Sequence, residues 1–144
     1  LKVLQNFDKS AYGEIYMSAL HMWSDYKFTG IGLNNFNLLC NNEYKYRKYN
    51  RNFGCTTHPH NIYLQALVEA GVIGFIIFVI IVLTILNKII FIKEKNIKYS
   101  LLSAYLTIFW PIMSTGSFLK NWNMVFICFV ISLCLLITEK QKLN

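Results

Sequence analysis

Residues 71–91 read "GVIGFIIFVIIVLTILNKIIF", an apolar run whose only charged residue is Lys88. A run of this length and composition is typical of a membrane-spanning helix. Upstream, Pro59 suits the first turn of a helix, and no further proline occurs before Phe91. We therefore predict one continuous helix over residues 59–92. At about 1.5 Å per residue it would be roughly 50 Å long and would extend beyond a hydrocarbon layer of about 30 Å.

The composition of the whole chain agrees with a membrane protein. Of its 144 residues, 55% are hydrophobic and 16% are aromatic, which is too apolar for an ordinary soluble domain of this size. The net charge of +7 does not indicate nucleic-acid binding, because the lysines separate apolar runs and no nucleic-acid-binding motif is present. Two further apolar segments predict spans over residues 99–118, with a kink at Trp110-Pro111, and over residues 122–138. We expect an all-α polytopic protein whose residues 59–144 form a membrane domain with about three C-terminal transmembrane helices.

The distribution of lysines predicts the orientation of these spans. Lysines cluster between the first and second spans and after the third: Lys88, Lys93, Lys95, Lys98, Lys140 and Lys142. The link between the second and third spans holds Lys120 alone. By the positive-inside rule the lysine-rich ends are cytoplasmic, so residues 1–58 form a loop region that faces the periplasm or the cell exterior. Because the chain starts at Leu1 without a signal peptide, we expect it to be the C-terminal part of a longer polytopic protein.

A helical pattern occupies residues 11–28 of this loop region. An apolar face recurs at three- and four-residue spacings, while Glu14, Ser18 and Asp25 lie elsewhere, which predicts an amphipathic helix near the membrane interface. The residues of this face are Ile15, Ala19, Met22, Trp23 and Tyr26. Gly30 and Gly32 follow it. They lack the third glycine of a dinucleotide-binding motif and predict a turn.

The loop region also contains two cysteines, Cys40 and Cys55. In an oxidising compartment they could close a loop of about 15 residues and stabilise it by roughly 3 kcal/mol. Two unpaired thiols or a metal site are the alternatives. Cys128 and Cys134 lie within an apolar run and are expected to pack against lipid or protein.

A basic, tyrosine-rich segment precedes the long helix. It contains Lys45, Arg47, Lys48 and Arg51, alternating with Tyr44, Tyr46 and Tyr49. Together with the positive end of the helix dipole, Arg47, Lys48 and Arg51 could bind a phosphate group, and the tyrosines could stack on sugar rings. A solvated face, or one that binds lipid headgroups, is the alternative.

His58, His60 and Asn61 lie at the expected start of the helix. On a helix His60 would share one face with Gly71 and Gly74, small residues that allow close approach of another helix or a lipid. An imidazole at this place could accept a proton from an attacking hydroxyl or assist a departing phosphate, and His58 and Asn61 could contact the substrate. A polar interface residue is the alternative for His60.

Asn61, Gln65 and Glu69 form a second, polar stripe, which must face water, protein or a ligand. Cys55, His58 and His60 are zinc-ligand types, but their spacing matches no usual motif, so we predict no metal and no cofactor.

Two blocks of the sequence resemble the O-antigen ligase and polymerase superfamily of bacterial envelope enzymes. These are "EIYMSALHMWSDYKFTGIGLNNF", residues 14–36, and "THPHNIYLQALVEAGVIGF", residues 57–75, in which "HN" is followed after nine residues by "GVIG". The resemblance spans roughly residues 10–80, and the two blocks occur in the expected order.

The resemblance implies an all-helical membrane transferase of the GT-C-like kind. Such enzymes pass a glycan from undecaprenyl diphosphate to lipid A core, another repeat unit or a protein hydroxyl, without a required metal. His60 matches the family histidine thought to act in catalysis, and periplasmic arginines are thought to hold the diphosphate. Tyr12 stands about where many relatives have an arginine, so Arg47, Arg51 or residues upstream of Leu1 could take that role. A non-enzymatic membrane component, such as a flippase or scaffold subunit that binds lipid headgroups, is the alternative function.

Overall fold

The computed structural model describes residue 7 and residues 10–47 and 54–143. Over these residues it contains helices and no strand, which confirms the predicted all-helical class. The predicted substrate-binding residues Lys48 and Arg51 lie outside the described residues, as does the side chain of Arg47. The described helices are α1 (Ala11–Asp25), α2 (Phe36–Asn42), α3 (Tyr44–Arg47), α4 (Ile62–Ile90), α5 (Lys95–Phe109) and α6 (Asn121–Leu143).

Helix α1 has a capped N-terminus and packs one face against α4. The Ser10 hydroxyl accepts a hydrogen bond of 3.1 Å from a backbone N–H in the first turn, one of the donors that a helix start leaves unpaired. Ile15, Ala19 and Met22 are buried and cluster with Val68 of α4. The periodicity of the sequence therefore predicted the burial of these three residues correctly. It was wrong for Tyr26, which is 41% exposed, and for Glu14 and Ser18, which it placed on another face and which are buried.

Helix α4 begins at Ile62, later than the predicted start at Pro59. The Asn61 side chain caps it, because its Oδ1 accepts hydrogen bonds of 3.0 Å from the backbone N–H groups of Tyr63 and Leu64. His60 has a φ of 56°, which lies outside the helical region. The prediction that His60 shares a helical face with glycines further along α4 is therefore wrong.

The prediction of one continuous helix is also wrong, because α4 is broken at Gly71. This residue has φ 66° and ψ −172°, a combination that is essentially restricted to glycine. A break inside a helix leaves backbone donors and acceptors without their usual partners, and a buried unpaired backbone group is costly. At Gly71 those groups find their partners elsewhere in the chain.

The partners come from segment 27–32, which follows α1 and lies across the break. It donates two hydrogen bonds to carbonyls before Gly71 and accepts two from N–H groups after it. Gly30 makes the close approach possible, since a Cβ there would overlap the Glu69 carbonyl. The four hydrogen bonds are Ile31 N to Val68 O (3.0 Å), Gly32 N to Glu69 O (3.0 Å), Val72 N to Lys27 O (2.8 Å) and Ile73 N to Phe28 O (3.4 Å).

Helix α5 ends at Phe109, directly before Trp110-Pro111, so the proline follows the end of a helix where a kink was predicted. Its 15 residues extend about 22 Å at about 1.5 Å per residue. Among the described helices, α4 and α6 are long and apolar enough to cross a membrane. The predicted second span, 99–118, is therefore helical only in its first part, and its last part belongs to a loop.

The three longest C-terminal helices pack around a shared apolar core. Val82 and Ile85 of α4 are buried against Tyr105 of α5, whose hydroxyl donates a 3.0 Å hydrogen bond to the Val82 carbonyl. Val130 of α6 completes the core. Large apolar side chains on the outer faces of α4 and α6 remain exposed, among them Ile76, Ile80, Leu83, Val125, Phe126 and Phe129. Such faces suit contact with lipid or with further helices and do not suit water.

Candidate active site

His60 lies just outside the first turn of α4, between Tyr12, His58 and the loop of residues 111–117, and we call this partly buried position the recess. Its ring is half-buried between Tyr12 of α1, with ring centroids 6.1 Å apart, and His58, with centroids 4.2 Å apart. Within the described part of the chain, neither ring nitrogen of His60 has a hydrogen-bond partner. Burial, and then the nearby Lys120, hold the pKa of His60 below its usual value. At neutral pH the ring is therefore uncharged, with a nitrogen lone pair available to accept a proton.

His58 differs from His60 in that both its nitrogens have partners. It is 4% exposed, its Nδ1 lies 2.8 Å from the Thr57 hydroxyl, and its Nε2 lies 3.3 Å from the Thr115 carbonyl. Burial is the largest cause of a lowered pKa at His58, followed by His60. The predicted contact between His58 and substrate needs a free polar atom, and His58 has none to offer.

Asn61 is likewise occupied by the protein itself. Besides capping α4, its Nδ2 donates a 2.7 Å hydrogen bond to the carbonyl of Pro111, and the residue is 8% exposed. Tyr63, in the first turn of α4, donates a 2.7 Å hydrogen bond to the carbonyl of Phe109. The start of α4 thus donates hydrogen bonds to carbonyl groups at the end of α5. The contacts of Asn61 in the structure are made with the protein, whereas the sequence predicted a contact with the substrate.

The third wall of the recess is the loop of residues 111–117, which the sequence had assigned to a transmembrane span. The Thr115 backbone N–H donates a 2.9 Å hydrogen bond to the carbonyl of His60, and the Ser114 hydroxyl donates a 3.1 Å hydrogen bond to the Tyr12 hydroxyl. Ser117 accepts a 2.8 Å hydrogen bond from Gln65. The helix-breaking Trp110-Pro111 pair and the polar run after it were the available signals for this loop.

Below the recess, a buried polar network joins the two sequence blocks. Gln65 and Glu69 are each 1% exposed, and the Gln65 amide donates a 3.2 Å hydrogen bond to Glu69 Oε2. The backbone N–H of Asn34 also donates to the Glu69 carboxylate. The polar stripe on α4 therefore faces protein, and Glu69 holds the turn after Gly32 against α4.

Fewer side chains of the basic segment are available to bind a ligand than the sequence predicts. Lys45 forms a 2.8 Å ion pair with Asp25, and the Tyr46 hydroxyl donates a 2.7 Å hydrogen bond to the same carboxylate. Tyr46 is 1% exposed, and burial is the main reason that its pKa rises to about 12. Tyr46 therefore has no face to stack on a sugar, whereas Tyr44 is 83% exposed.

Cys40 and Cys55 are bonded to each other, with a Cα–Cα distance of 5.4 Å. Nearby, Asn37 Nδ2 donates hydrogen bonds to the carbonyls of Cys55 (3.3 Å) and Thr56 (3.1 Å). These contacts anchor the chain just before His58 to α2. Because Cys55 is bonded, it cannot act as a thiolate ligand in a zinc site with His58 and His60.

Replacing Cys40 and Cys55 together by alanine should lower the free energy of unfolding by about 3 kcal/mol, as expected for a closed loop of this length. Thermal unfolding of the purified intact protein measures the change. Cys128→Ala, at an exposed and unbonded cysteine, is the control and should have little effect. Labelling of unreduced protein from oxidised cells should modify neither Cys40 nor Cys55; labelling of both would show that the bond is absent.

Comparison with known protein families identifies the chain. A model described as O-antigen ligase matches residues 3–79, more than half of the sequence. The chain belongs to the O-antigen ligase family. The matched range contains α1, segment 27–32, His60 and the break at Gly71, whereas the 111–117 loop lies beyond it. Searches among curated proteins and among solved structures gave no match.

Membership of the O-antigen ligase family confirms the resemblance and indicates the general activity. Proteins of this kind transfer glycans as ligases or polymerases in polysaccharide biosynthesis, with a lipid-linked glycan and an acceptor as partners. Together with the two long apolar helices, the family indicates a bacterial membrane protein.

Proposed function

We propose that this O-antigen ligase family protein transfers a glycan from undecaprenyl diphosphate to an acceptor hydroxyl at the periplasmic face of the bacterial inner membrane. The observation that carries the proposal is the state of His60, a half-buried imidazole beside Tyr12 whose lowered pKa favours the uncharged ring and whose nitrogens have no hydrogen-bond partner among the described residues. A general base must be uncharged and must have a free lone pair within reach of the attacking hydroxyl. Of the two histidines in the recess, His60 meets both conditions and His58 does not.

The proposed reaction is a displacement at the anomeric carbon. The acceptor oxygen forms a bond to that carbon while the bond to the diphosphate oxygen breaks. His60 takes the proton of the attacking hydroxyl, and undecaprenyl diphosphate leaves with the bonding electron pair. Arg47, Lys48 and Arg51 are proposed to bind the diphosphate, and Lys120, whose charge acts on His60, adds a cation that the sequence analysis did not assign to the site.

We extend the proposal to a GT-C-like arrangement with three C-terminal spans. The hydrogen bonds from Asn61 to Pro111 and from Tyr63 to Phe109 join the end of α5 to the start of α4. Helix α5 also begins soon after α4 ends, so the two helices run in opposite directions. Helix α5 and the loop residues after it would together return the chain to the His60 side. We also propose that the boundary between the periplasmic loop region and the membrane domain lies between residues 58 and 59.

The orientation follows from the lysines. Lys93, Lys95 and Lys98 lie between α4 and α5 or at the start of α5, at the opposite end of α4 from His60. If these lysines are cytoplasmic, as the positive-inside rule predicts, His60 opens towards the periplasm, where undecaprenyl-linked glycans would be consumed.

Transfer in proteoliposomes tests the proposal. The intact protein is supplied with a defined glycan on undecaprenyl diphosphate, and with lipid A core, a second lipid-linked repeat unit or a peptide hydroxyl as acceptor. We expect product with one of these acceptors, and none when the carrier is a monophosphate. The absence of product with every acceptor, together with binding or transbilayer movement of the lipid-linked glycan, would support the non-enzymatic alternative instead.

The transfer rate should depend on pH through His60. A base acts in its unprotonated form, so kcat/KM should rise with pH through the lowered pKa of His60 and should already be level at neutral pH. Among the described residues, the titratable groups that face His60 are Tyr12, His58 and Lys120. Removing the charge in Lys120→Met should move the inflection to higher pH, whereas Lys95→Met should leave it unchanged. An inflection that stays in place, or moves down, in Lys120→Met would contradict this electrostatic coupling.

A further inference from the structure

The contacts of His58 fix which of its nitrogens carries the proton. A backbone carbonyl can only accept a hydrogen bond, so Nε2, which lies 3.3 Å from the Thr115 carbonyl, must be the donor. In the uncharged ring Nδ1 is then the acceptor, and the Thr57 hydroxyl, 2.8 Å away, donates to it. The uncharged Nε2–H tautomer therefore satisfies every polar atom of the buried ring.

Thr115 connects His58 to His60 through the backbone. Its carbonyl accepts from the His58 ring, and its N–H donates a 2.9 Å hydrogen bond to the carbonyl of His60. Thr115 is thus bound by the side chain of His58 and in turn binds the backbone of His60. The two rings also lie against each other, with centroids 4.2 Å apart and an interplanar angle of 41°.

We propose that His58 is a positioning residue for His60, which it orients by ring contact and by fastening the 111–117 loop through Thr115. This proposal rests on the proposed function, because it gives His58 a role only if His60 takes the proton of the acceptor. It replaces the direct substrate contact that the sequence suggested for His58.

The electrostatic state of His58 agrees with such a role. Burial, and then His60 and Lys120, favour the uncharged ring and hold its pKa below the usual value, although the Thr115 carbonyl acts in the opposite direction. A charged imidazole 4.2 Å from His60 would oppose the protonation that His60 undergoes during transfer. An uncharged His58 orients its neighbour without that penalty.

Two substitutions at His58 separate positioning from substrate binding. His58→Gln places an amide N–H near the position of Nε2 and can still donate to Thr115, whereas His58→Leu fills similar space and cannot. We expect kcat within about threefold of wild type for His58→Gln, and a fall of about 10- to 100-fold for His58→Leu, with KM for the lipid carrier unchanged in both. A raised KM with an unchanged kcat in His58→Leu would show direct substrate binding and overturn the proposal.

A double-substitution experiment shows whether His58 acts through His60. In a His60→Asn background, adding His58→Leu should cause little further loss, because the group that it positions is already gone. The same 10- to 100-fold loss in that background would show an independent role and overturn the proposal. If His60→Asn itself retained wild-type transfer, the proposed function would fail rather than this inference alone.

The exposed Thr57 provides a variant with little risk to folding. Thr57→Val removes the hydroxyl that donates to His58 Nδ1 and should lower kcat severalfold without changing KM or the thermal midpoint. Wild-type kcat in Thr57→Val, together with wild-type kcat in a folded His58→Leu protein, would show that ring orientation does not matter for transfer.

Discussion

Replacing His60 by alanine in the intact protein should reduce glycan transfer by about 10²- to 10⁴-fold while leaving membrane insertion intact. This range is what a positioned general base contributes. The loss should appear in kcat, because a general base acts on the attacking hydroxyl in the transition state. Transfer from the defined lipid-linked glycan in proteoliposomes is the measurement, with the amount of inserted protein determined in parallel.

The backbone at His60 requires a second variant, because its φ of 56° is unfavourable for most residues. The left-handed region costs a residue with a Cβ about 1 to 2 kcal/mol, a cost that the native histidine already bears, whereas asparagine tolerates this region. His60→Asn therefore removes the imidazole with less disturbance of the loop. If the alanine variant were inactive but the asparagine variant active, the role of His60 would be conformational and the base assignment would be wrong.

A matched control is available on α1. His21→Ala removes a histidine that lies nine residues along the helix from Tyr12 and has no part in the proposed chemistry. It should retain wild-type transfer. Equal losses in the His21 and His60 variants would indicate a general effect of removing histidine rather than the loss of a base.

The parts of the structure that the sequence predicted are those set by local pattern. Ile15, Ala19 and Met22 identify the buried face of α1 because helical periodicity acts within a few turns. The apolar content of α4 and α6 likewise identifies helices that suit a membrane. Both inferences need only the residues of the helix concerned.

The arrangement around Gly71 could not be predicted in this way. Within α4 the sequence before and after Gly71 favours a helix throughout, and a single glycine is tolerated in that pattern. The break is stabilised by segment 27–32, which is remote in sequence and supplies partners for the backbone groups that the break exposes. Gly30 and Gly32 predict a turn correctly, but nothing local to them indicates that the turn rests against α4.

The recess around His60 was missed for a related reason. An apolar run predicted residues 99–118 as a span, so Ser114 and Ser117 were assigned to the membrane. Their partners, Tyr12 and Gln65, lie far away in sequence. The chemical identity of the key residue was visible in the sequence, whereas its surroundings depended on contacts between distant segments.

The structural prediction with the largest effect concerns the break in α4. Gly71→Ala should lower the free energy of unfolding by about 3 kcal/mol or more and should leave little monodisperse protein in detergent. The backbone conformation alone costs about 1 to 3 kcal/mol for a residue with a side chain. In addition, a Cβ at Gly71 would overlap the backbone of Phe28 and Gly30, which cannot move aside as a flexible side chain could.

Two further glycine substitutions make the test specific. Gly30→Ala should be about as damaging, because Gly30 also has a positive φ, of 71°, and faces the backbone of Glu69 and Gly71 from the other side. Gly116→Ala is the matched control, since its Cβ would meet only the side chain of Asn123, and it should change stability little. Thermal unfolding and size-exclusion profiles of the three variants give the comparison. If Gly71→Ala behaved like Gly116→Ala, α4 would have to be continuous through residue 71, and segment 27–32 would lose the backbone contacts that hold the loop region beside His60.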